Sequence, residues 1–214
     1  MGAEGAGMET KETVRMPPQT LTLSDAMRIR FKGVLDAVAG FLNRLGLMPN
    51  TVTLAALLGN FFAAVLLAYG RFLEGGILVL IMGALDSIDG SMARLRGERS
   101  DFGAFADSVS DRYSELAIFG ALLLYYVQRG DNLMVVATFL ATAGSVLVPY
   151  VRAKAEAVGF NAKGGLMGRF ERYLVLAPSL ILSAPWLGIV LIAVLGNLTA
   201  LQRVYSVRRQ ARGG

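Results

Sequence analysis

Apolar residues in this chain fall into long blocks parted by short polar breaks, and the blocks predict the elements. Ser24 reads as a helix N-cap. After it, Met27, Phe31, Val34, Leu35, Val38, Phe41, Leu42 and Leu45 recur at helical spacing, opposed by Arg28, Arg30, Lys32 and Arg44. That pattern predicts a basic amphipathic helix lying on an anionic membrane face. The same stripe would serve to pack on a bundle, and the two uses are compatible. Gly46-Leu47-Met48-Pro49-Asn50 breaks the helix. Six apolar blocks follow, at 51–69, 75–95, 102–128, 133–155, from about 168 to 183, and 185–205. Blocks of about 20 residues suit a hydrocarbon core of roughly 30 Å. The expected fold is an all-α integral membrane protein: six transmembrane helices plus the N-terminal amphipathic interfacial helix. The expected organisation is a flexible tail at 1–22, the amphipathic helix at 23–46, one membrane domain at 47–207 and a basic tail at 208–214.

Composition agrees. The 214 residues are 54% hydrophobic, with a mean hydropathy of +0.52, normal for a polytopic membrane protein. The first 19 residues lack an apolar core, so they read as neither signal peptide nor span. There is no Cys and no His. Disulfides, thiol nucleophiles, His-based triads and His-ligated zinc are excluded, and acid–base work falls to carboxylates, Lys, Tyr or solvent. The N-terminal segment, the loops after the second and fourth blocks and the C-terminal stretch hold 18 of the 21 Lys and Arg. The positive-inside rule then puts both termini in the cytoplasm of a cell-membrane protein. This bias accounts for the basic residues, and no nucleic-acid partner is expected.

The polar exceptions carry the chemistry. Asp86 and Asp89 lie late in the second block, Asp107 and Asp111 early in the third. Gly76 to Leu85 carries no charge, and the stretch after Arg112 is predominantly apolar as far as Val127. One Asp at the centre of a membrane helix costs about 2.5–3.5 kcal/mol, so four unpaired would cost on the order of 10 kcal/mol. Binding something positive offsets that cost. Asp86 and Asp89 are i, i+3, and Asp107 and Asp111 are i, i+4, so each pair shares a helix face. A short basic loop, Arg94 to Asp101, makes the two helices antiparallel neighbours. The facing pairs form a box of hard oxygen ligands, which selects Mg²⁺, Mn²⁺ or Ca²⁺. Two metals a few Å apart are usual for displacement at phosphorus. Gly90 and Ala93 share the face of Asp86, and Gly103 lies one turn before Asp107. These small residues leave a slot for a bulky group, and Arg94 offers a fixed cation suited to a diphosphate.

Written out, Asp86-x2-Asp89-Gly90-x2-Ala93-Arg94-x8-Gly103-x3-Asp107-x3-Asp111 matches the full signature of the CDP-alcohol phosphotransferases. The chain resembles that family from about Phe31 to Tyr205. The resemblance implies two Mg²⁺ or Mn²⁺ ions on Asp86, Asp89, Asp107 and Asp111, with Asp111 also the base that deprotonates the acceptor. The segment Leu47-Met48-Pro49-Asn50-Thr51-Val52-Thr53 looks like the one that contacts cytidine diphosphate, and Ser100 matches a further donor contact. Asn50, Thr51, Val52, Thr53, Gly90, Ala93, Arg94, Ser100 and Gly103 are therefore the expected CDP-lipid residues.

A second charged cluster surrounds the end of the fourth block and the start of the fifth. Arg152, Lys154, Arg172 and Arg203 sit within or at the edge of apolar runs, where a charge is costly. They read as an anion pocket for a phosphorylated acceptor; Lys163, Arg208, Arg209 and Arg212 read as loop charge that snorkels to headgroups. Tyr150-Val-Arg-Ala-Lys-Ala-Glu156, Gly168-Arg-Phe-Glu-Arg172 and Leu201-Gln-Arg203 look like the branch making phosphatidylinositol phosphate or its archaeal ether-lipid counterpart, except that Arg152 and Lys154 swap the order of Lys and Arg. The resemblance implies transfer of a phosphatidyl group from CDP-diacylglycerol to inositol phosphate, with CMP as product, in a membrane homodimer surrounded by lipid. Glycerol 3-phosphate is the alternative acceptor. A divalent-cation transporter is the alternative from another class, but it gives no reason for the spacing of Gly90, Ala93, Arg94 and Gly103.

Overall fold

The computed structural model describes residues 23–98 and 100–213; the N-terminal tail expected at 1–22 lies outside them. Among the described residues every regular element is α-helix: α1 (Leu23–Arg44), α2 (Pro49–Ala68), α3 (Phe72–Arg96), α4 (Asp101–Gln128), α5 (Asn132–Ala157), α6 (Arg169–Ile181) and α7 (Pro185–Gly213). The helix ends follow local chemistry. Pro49 opens α2, where its missing N–H costs nothing. Gly97 closes α3 in the left-handed region, at φ 68°, which a side chain would strain. The Ser100 and Asp131 side chains cap α4 and α5.

Three sequence expectations change. Ser24 is the second residue of α1 rather than its cap. The basic loop is shorter than Arg94–Asp101, because α3 continues through Arg96. The basic residues from 208 continue α7, which runs on to Gly213.

Among the described residues three helices, α2, α5 and α7, are long and apolar enough to cross a membrane. The other blocks differ from the expected spans for identifiable reasons. α3 and α4 have 25 and 28 residues, but both carry charge. α6 has only 13 residues, about 20 Å of helix against a roughly 30 Å core. Its apolar run ends in a turn at Leu182 and Ser183, the latter at φ 55°.

Helices α2 to α7 form a closed ring in the order α3–α2–α4–α5–α7–α6 and back to α3. Chain direction alternates, so α2, α4 and α6 begin at the end where α3, α5 and α7 finish. The apolar core fills the other half with Leu67, Val79, Ile118, Leu122, Leu180, Ile189 and Ile192. α6 approaches α3 closely because α3 presents glycines there. A Cβ on Gly76 would stand 2.7 Å from Leu180 Cβ and 2.9 Å from the Ile181 nitrogen, and one on Gly83 would stand 2.9 Å from the Tyr173 ring.

α1 lies against α3, and its apolar stripe divides. Leu35, Ala39 and Leu42 pack with Val52, Ile88 and Met92, while the adjacent row of Val34, Val38, Phe41 and Leu45 stays exposed. Arg96 fastens the junction, donating to Asn43 Oδ1 at 2.7 Å and to the Leu47 carbonyl at 2.7 Å. Gly76→Ala should lower stability by about 1–3 kcal/mol, because the obstructing atoms, the Leu180 Cβ and the Ile181 backbone nitrogen, cannot swing aside. Gly120→Ala, where an added Cβ meets nothing within 4 Å, should be neutral or stabilising by about 0.5–1 kcal/mol. Thermal unfolding of both variants in one detergent tests the difference.

Candidate functional site

Four aspartates converge at the end of the ring where α3 finishes and α4 begins. Asp86, Asp89 and Asp107 each offer one carboxylate oxygen, and the three oxygens lie within 4.8 Å of one another. Asp89 is buried at 5% exposure. Thr53 of α2 donates its hydroxyl to Asp89 Oδ2 at 2.5 Å, which fixes the carboxylate from outside the cluster. Three hard oxygens at this spacing, one oriented by a neighbouring hydroxyl, fit a divalent cation.

Asp111 stands slightly apart and is tied by cations of the chain itself. Arg169, at the start of α6, binds Asp111 Oδ1 and reaches Asp86 Oδ2 at 2.5 Å. Arg112 Nη2 lies 3.8 Å from Asp111 Oδ2. The Tyr173 ring, seated on Gly83, lies beneath Arg169, whose Cζ is 5.7 Å from the ring centroid. The sequence shows Arg169 only within the Gly168-Arg-Phe-Glu-Arg172 motif and gives it no role of its own. Its partners are 83 and 58 positions away in the chain, out of reach of any periodicity.

Deeper in the bundle lies a second ionic group. Glu115, one turn after Asp111, accepts from Arg172 Nη2 at 2.5 Å, and its other oxygen lies 3.4 Å from Arg112 Nη1. Glu115 was overlooked within the apolar run after Arg112.

The expected CDP-lipid residues scatter more. Asn50 and Thr51 are exposed at the start of α2, whereas Val52 is buried between α1 and α3. Gly90 opens on free space, since an added Cβ would meet nothing within 4 Å. Ala93 is half-buried on α3. Arg94 donates to Ser91 Oγ at 2.5 Å and lies 3.8 Å from Asp36 of α1. The Ser100 oxygen accepts the Gly103 N–H at 3.0 Å as the α4 cap, and Gly103 leaves that oxygen room.

The expected acceptor residues divide as well. Arg152 pairs with Glu156 at 3.0 Å, and Lys154 is exposed. Arg203 is buried and donates to the carbonyls of Gly164 at 2.9 Å and Val148 at 2.6 Å. These carbonyl bonds carry no countercharge; Arg152 and Arg172, and in the opposite sense Glu156 and Glu171, are near enough for their charges to act on it. Arg172 itself is committed to Glu115.

An all-helical bundle with three carboxylates converging at one end, beside an arginine-bound fourth, is of the class that can hold divalent cations at its helix ends. The family model for CDP-alcohol phosphatidyltransferase matches residues 46–202, and the chain belongs to that family. It is 36% identical over 192 residues to a phosphatidylinositol phosphate synthase of Mycobacterium marinum, covering 84% of this chain and 82% of the relative. It is 33% identical over 193 residues to an archaetidylinositol phosphate synthase of Pyrococcus horikoshii, covering 88% and 98%. The crystal structure of Mycobacterium tuberculosis phosphatidylinositol phosphate synthase with CDP-DAG bound superposes with a TM-score of 0.76 at 31% identity, covering 81% of this chain and 93% of that one. A structure of the same enzyme with manganese and citrate gives 0.75 at 32% identity, covering 81% and 88%.

Thr53→Val should weaken Mn²⁺ binding about tenfold, the usual lower range for losing a partner behind a ligand. Thr53→Ser should stay within about twofold of wild type, because the donor remains. Titration followed by the electron paramagnetic resonance signal of free Mn²⁺ decides, and equal binding in all three proteins would show that Thr53 does not orient the ligand.

Proposed function

We propose that this protein is an integral enzyme of the cell membrane that transfers a phosphatidyl group from CDP-diacylglycerol to the hydroxyl of inositol phosphate, giving phosphatidylinositol phosphate and CMP. The observation that carries the reading is the convergence of Asp86, Asp89 and Asp107 beside an arginine-bound Asp111, in a chain of this family whose relatives include phosphatidylinositol phosphate synthases.

On this reading Asp86, Asp89, Asp107 and Asp111 hold two divalent cations, Mg²⁺ or Mn²⁺. Such ions neutralise a diphosphate and ease departure of the nucleotide monophosphate. Asn50, Thr51, Val52, Thr53, Gly90, Ala93, Arg94, Ser100 and Gly103 form the end that receives the nucleotide. Asp111 takes the proton of the acceptor hydroxyl. The freed oxygen bonds to the phosphorus that bears the diacylglycerol, and the bond from that phosphorus to the CMP oxygen breaks. Arg169 holds Asp111 in place beside Asp86. Arg172 is already neutralised by Glu115, which leaves Arg152, Lys154 and Arg203 as the set for the acceptor phosphate. α2 to α7 each cross the membrane, the short α6 being completed by the irregular segments at its ends. The basic ends, and with them the site, face the cytoplasm, where CMP and the acceptor are soluble.

CMP release by the purified protein in detergent with Mg²⁺ and CDP-diacylglycerol tests this, with inositol 1-phosphate, inositol and glycerol 3-phosphate offered in turn. Release only with inositol phosphate is expected. Asp111→Asn should lower that rate about 10²–10⁴-fold, the range of a lost general base. Release with glycerol 3-phosphate instead would overturn the acceptor, and an unimpaired Asp111→Asn would overturn the base.

A further inference from the structure

In the ring of helices, α4 and α6 stand opposite each other. α4 packs chiefly on α2 and α5, and α6 chiefly on α3 and α7. Two ionic links nevertheless cross the centre between them: Asp111 with Arg169, and Glu115 with Arg172. The second link is the deeper. Glu115 and Arg172 have side chains only 6% and 3% exposed, and their atoms meet at 2.5 Å.

The register of the two links is the telling feature. Asp111 and Glu115 are i, i+4 on α4; Arg169 and Arg172 are i, i+3 on α6. Each pair therefore lies along one helix face. The inner link fixes the height and rotation of α6 against α4, and the outer link follows one turn away. Glu115 also acts along its own helix, because its second oxygen holds Arg112, whose Nη2 faces Asp111. One carboxylate thus restrains the position of Arg169 through α6 and of Asp111 through Arg112. Gly83 and Gly76 let α6 seat closely against α3, at the Tyr173 ring and at Leu180 and Ile181. Glu171, on the same turn of α6, bends its carboxylate back toward Gly168 and offers Arg172 no competing anion in the ion pairs described.

We propose that Glu115 is a positioning residue for phosphatidyl transfer: it cross-braces α4 and α6 and so sets the spacing of Asp111, Asp86 and Arg169. The proposal rests on the reading of this cluster as the transfer site. It differs from simple fold maintenance in one respect. A buried ion pair is replaceable by apolar residues of similar volume with little loss of stability, whereas removing one partner strands a buried charge. If Glu115 only supported the fold, deleting both charges would restore everything. If it positions the site, stability returns and the rate does not.

The test compares wild type, Glu115→Gln, Glu115→Asp and the double variant Glu115→Leu with Arg172→Met, each as the full chain in detergent. The double variant should melt near wild type yet lose about tenfold or more in kcat, as expected of a misplacement of about 1 Å or less. Its KM for CDP-diacylglycerol should change less than its kcat, since Asp89, Gly90 and the rest of the nucleotide end are untouched. Glu115→Asp, which keeps the charge on a shorter arm, should retain more kcat than Glu115→Gln. Where Glu115→Gln fails to fold, the double variant and Glu115→Asp still decide. Wild-type kcat in a stably folded double variant overturns the proposal.

A second measurement is independent of turnover. The chain has no cysteine, so spin labels attached through Leu116→Cys on α4 and Leu174→Cys on α6 report the distance between the two helices without background. The distance distribution should be narrow in the otherwise native protein and broad in the double variant; equal widths overturn the brace. If wild type released no CMP, the proposed function would fail, and this distance would still test the brace.

Discussion

Carboxylates held among apolar helices are the constraint on which the rest of this structure depends. Each unpaired Asp at such depth costs about 2.5–3.5 kcal/mol, and the bundle gathers four of them with a buried Glu. The neighbouring helices are placed so that partners reach them. α2 brings the Thr53 hydroxyl to Asp89. α6 brings Arg169 to Asp86 and Asp111, and Arg172 to Glu115. That delivery depends on the glycines of α3, which let α6 approach closely enough for arginine side chains to span the centre of the ring. The apolar half of the bundle is ordinary core and holds the ring closed.

The alternation of chain direction turns this constraint into a site. Because successive helices of the chain run in opposite senses, six helix ends meet at one level, and each contributes a different group. The starts of α2, α4 and α6 supply Thr53, Asp107 and Arg169; the ends of α3, α5 and α7 supply Asp86, Arg152 and Arg203. α1 is fastened beside this end by Arg96, with one apolar row left exposed. A lipid-linked donor and a water-soluble acceptor need such a place, where apolar flanks and concentrated charge adjoin.

Much of this was legible in the sequence, for identifiable reasons. Long apolar blocks and helical spacing located α1 to α5 to within a few residues, and the start but not the end of α7, which runs on to Gly213. The i, i+3 and i, i+4 spacing of the aspartates placed each pair on one face, and the structure brings Asp86, Asp89 and Asp107 together. What escaped is instructive. The block from about 168 to 183 is placed to within two residues, but its hydropathy does not show that the helix, Arg169–Ile181, is only 13 residues long. Arg169 was assigned with its sequence neighbours, because a contact across 83 positions leaves no local signature. Glu115 was hidden by the apolar residues on either side of it. Arg172 was expected in an acceptor pocket, and only the structure reveals that its charge is already met by Glu115.

The central claim is that the buried aspartates are tolerated because they hold divalent cations. The most direct measurement is thermal unfolding of the purified protein with and without Mn²⁺, alongside Asp89→Asn. Mn²⁺ at about 100 times its dissociation constant should stabilise the native state by about 2.7 kcal/mol. For a chain of this size that raises the melting temperature by roughly 5–10 °C, and Asp89→Asn should lose most of the shift. An unchanged melting temperature at saturating Mn²⁺, or an equal shift in Asp89→Asn, would contradict the account.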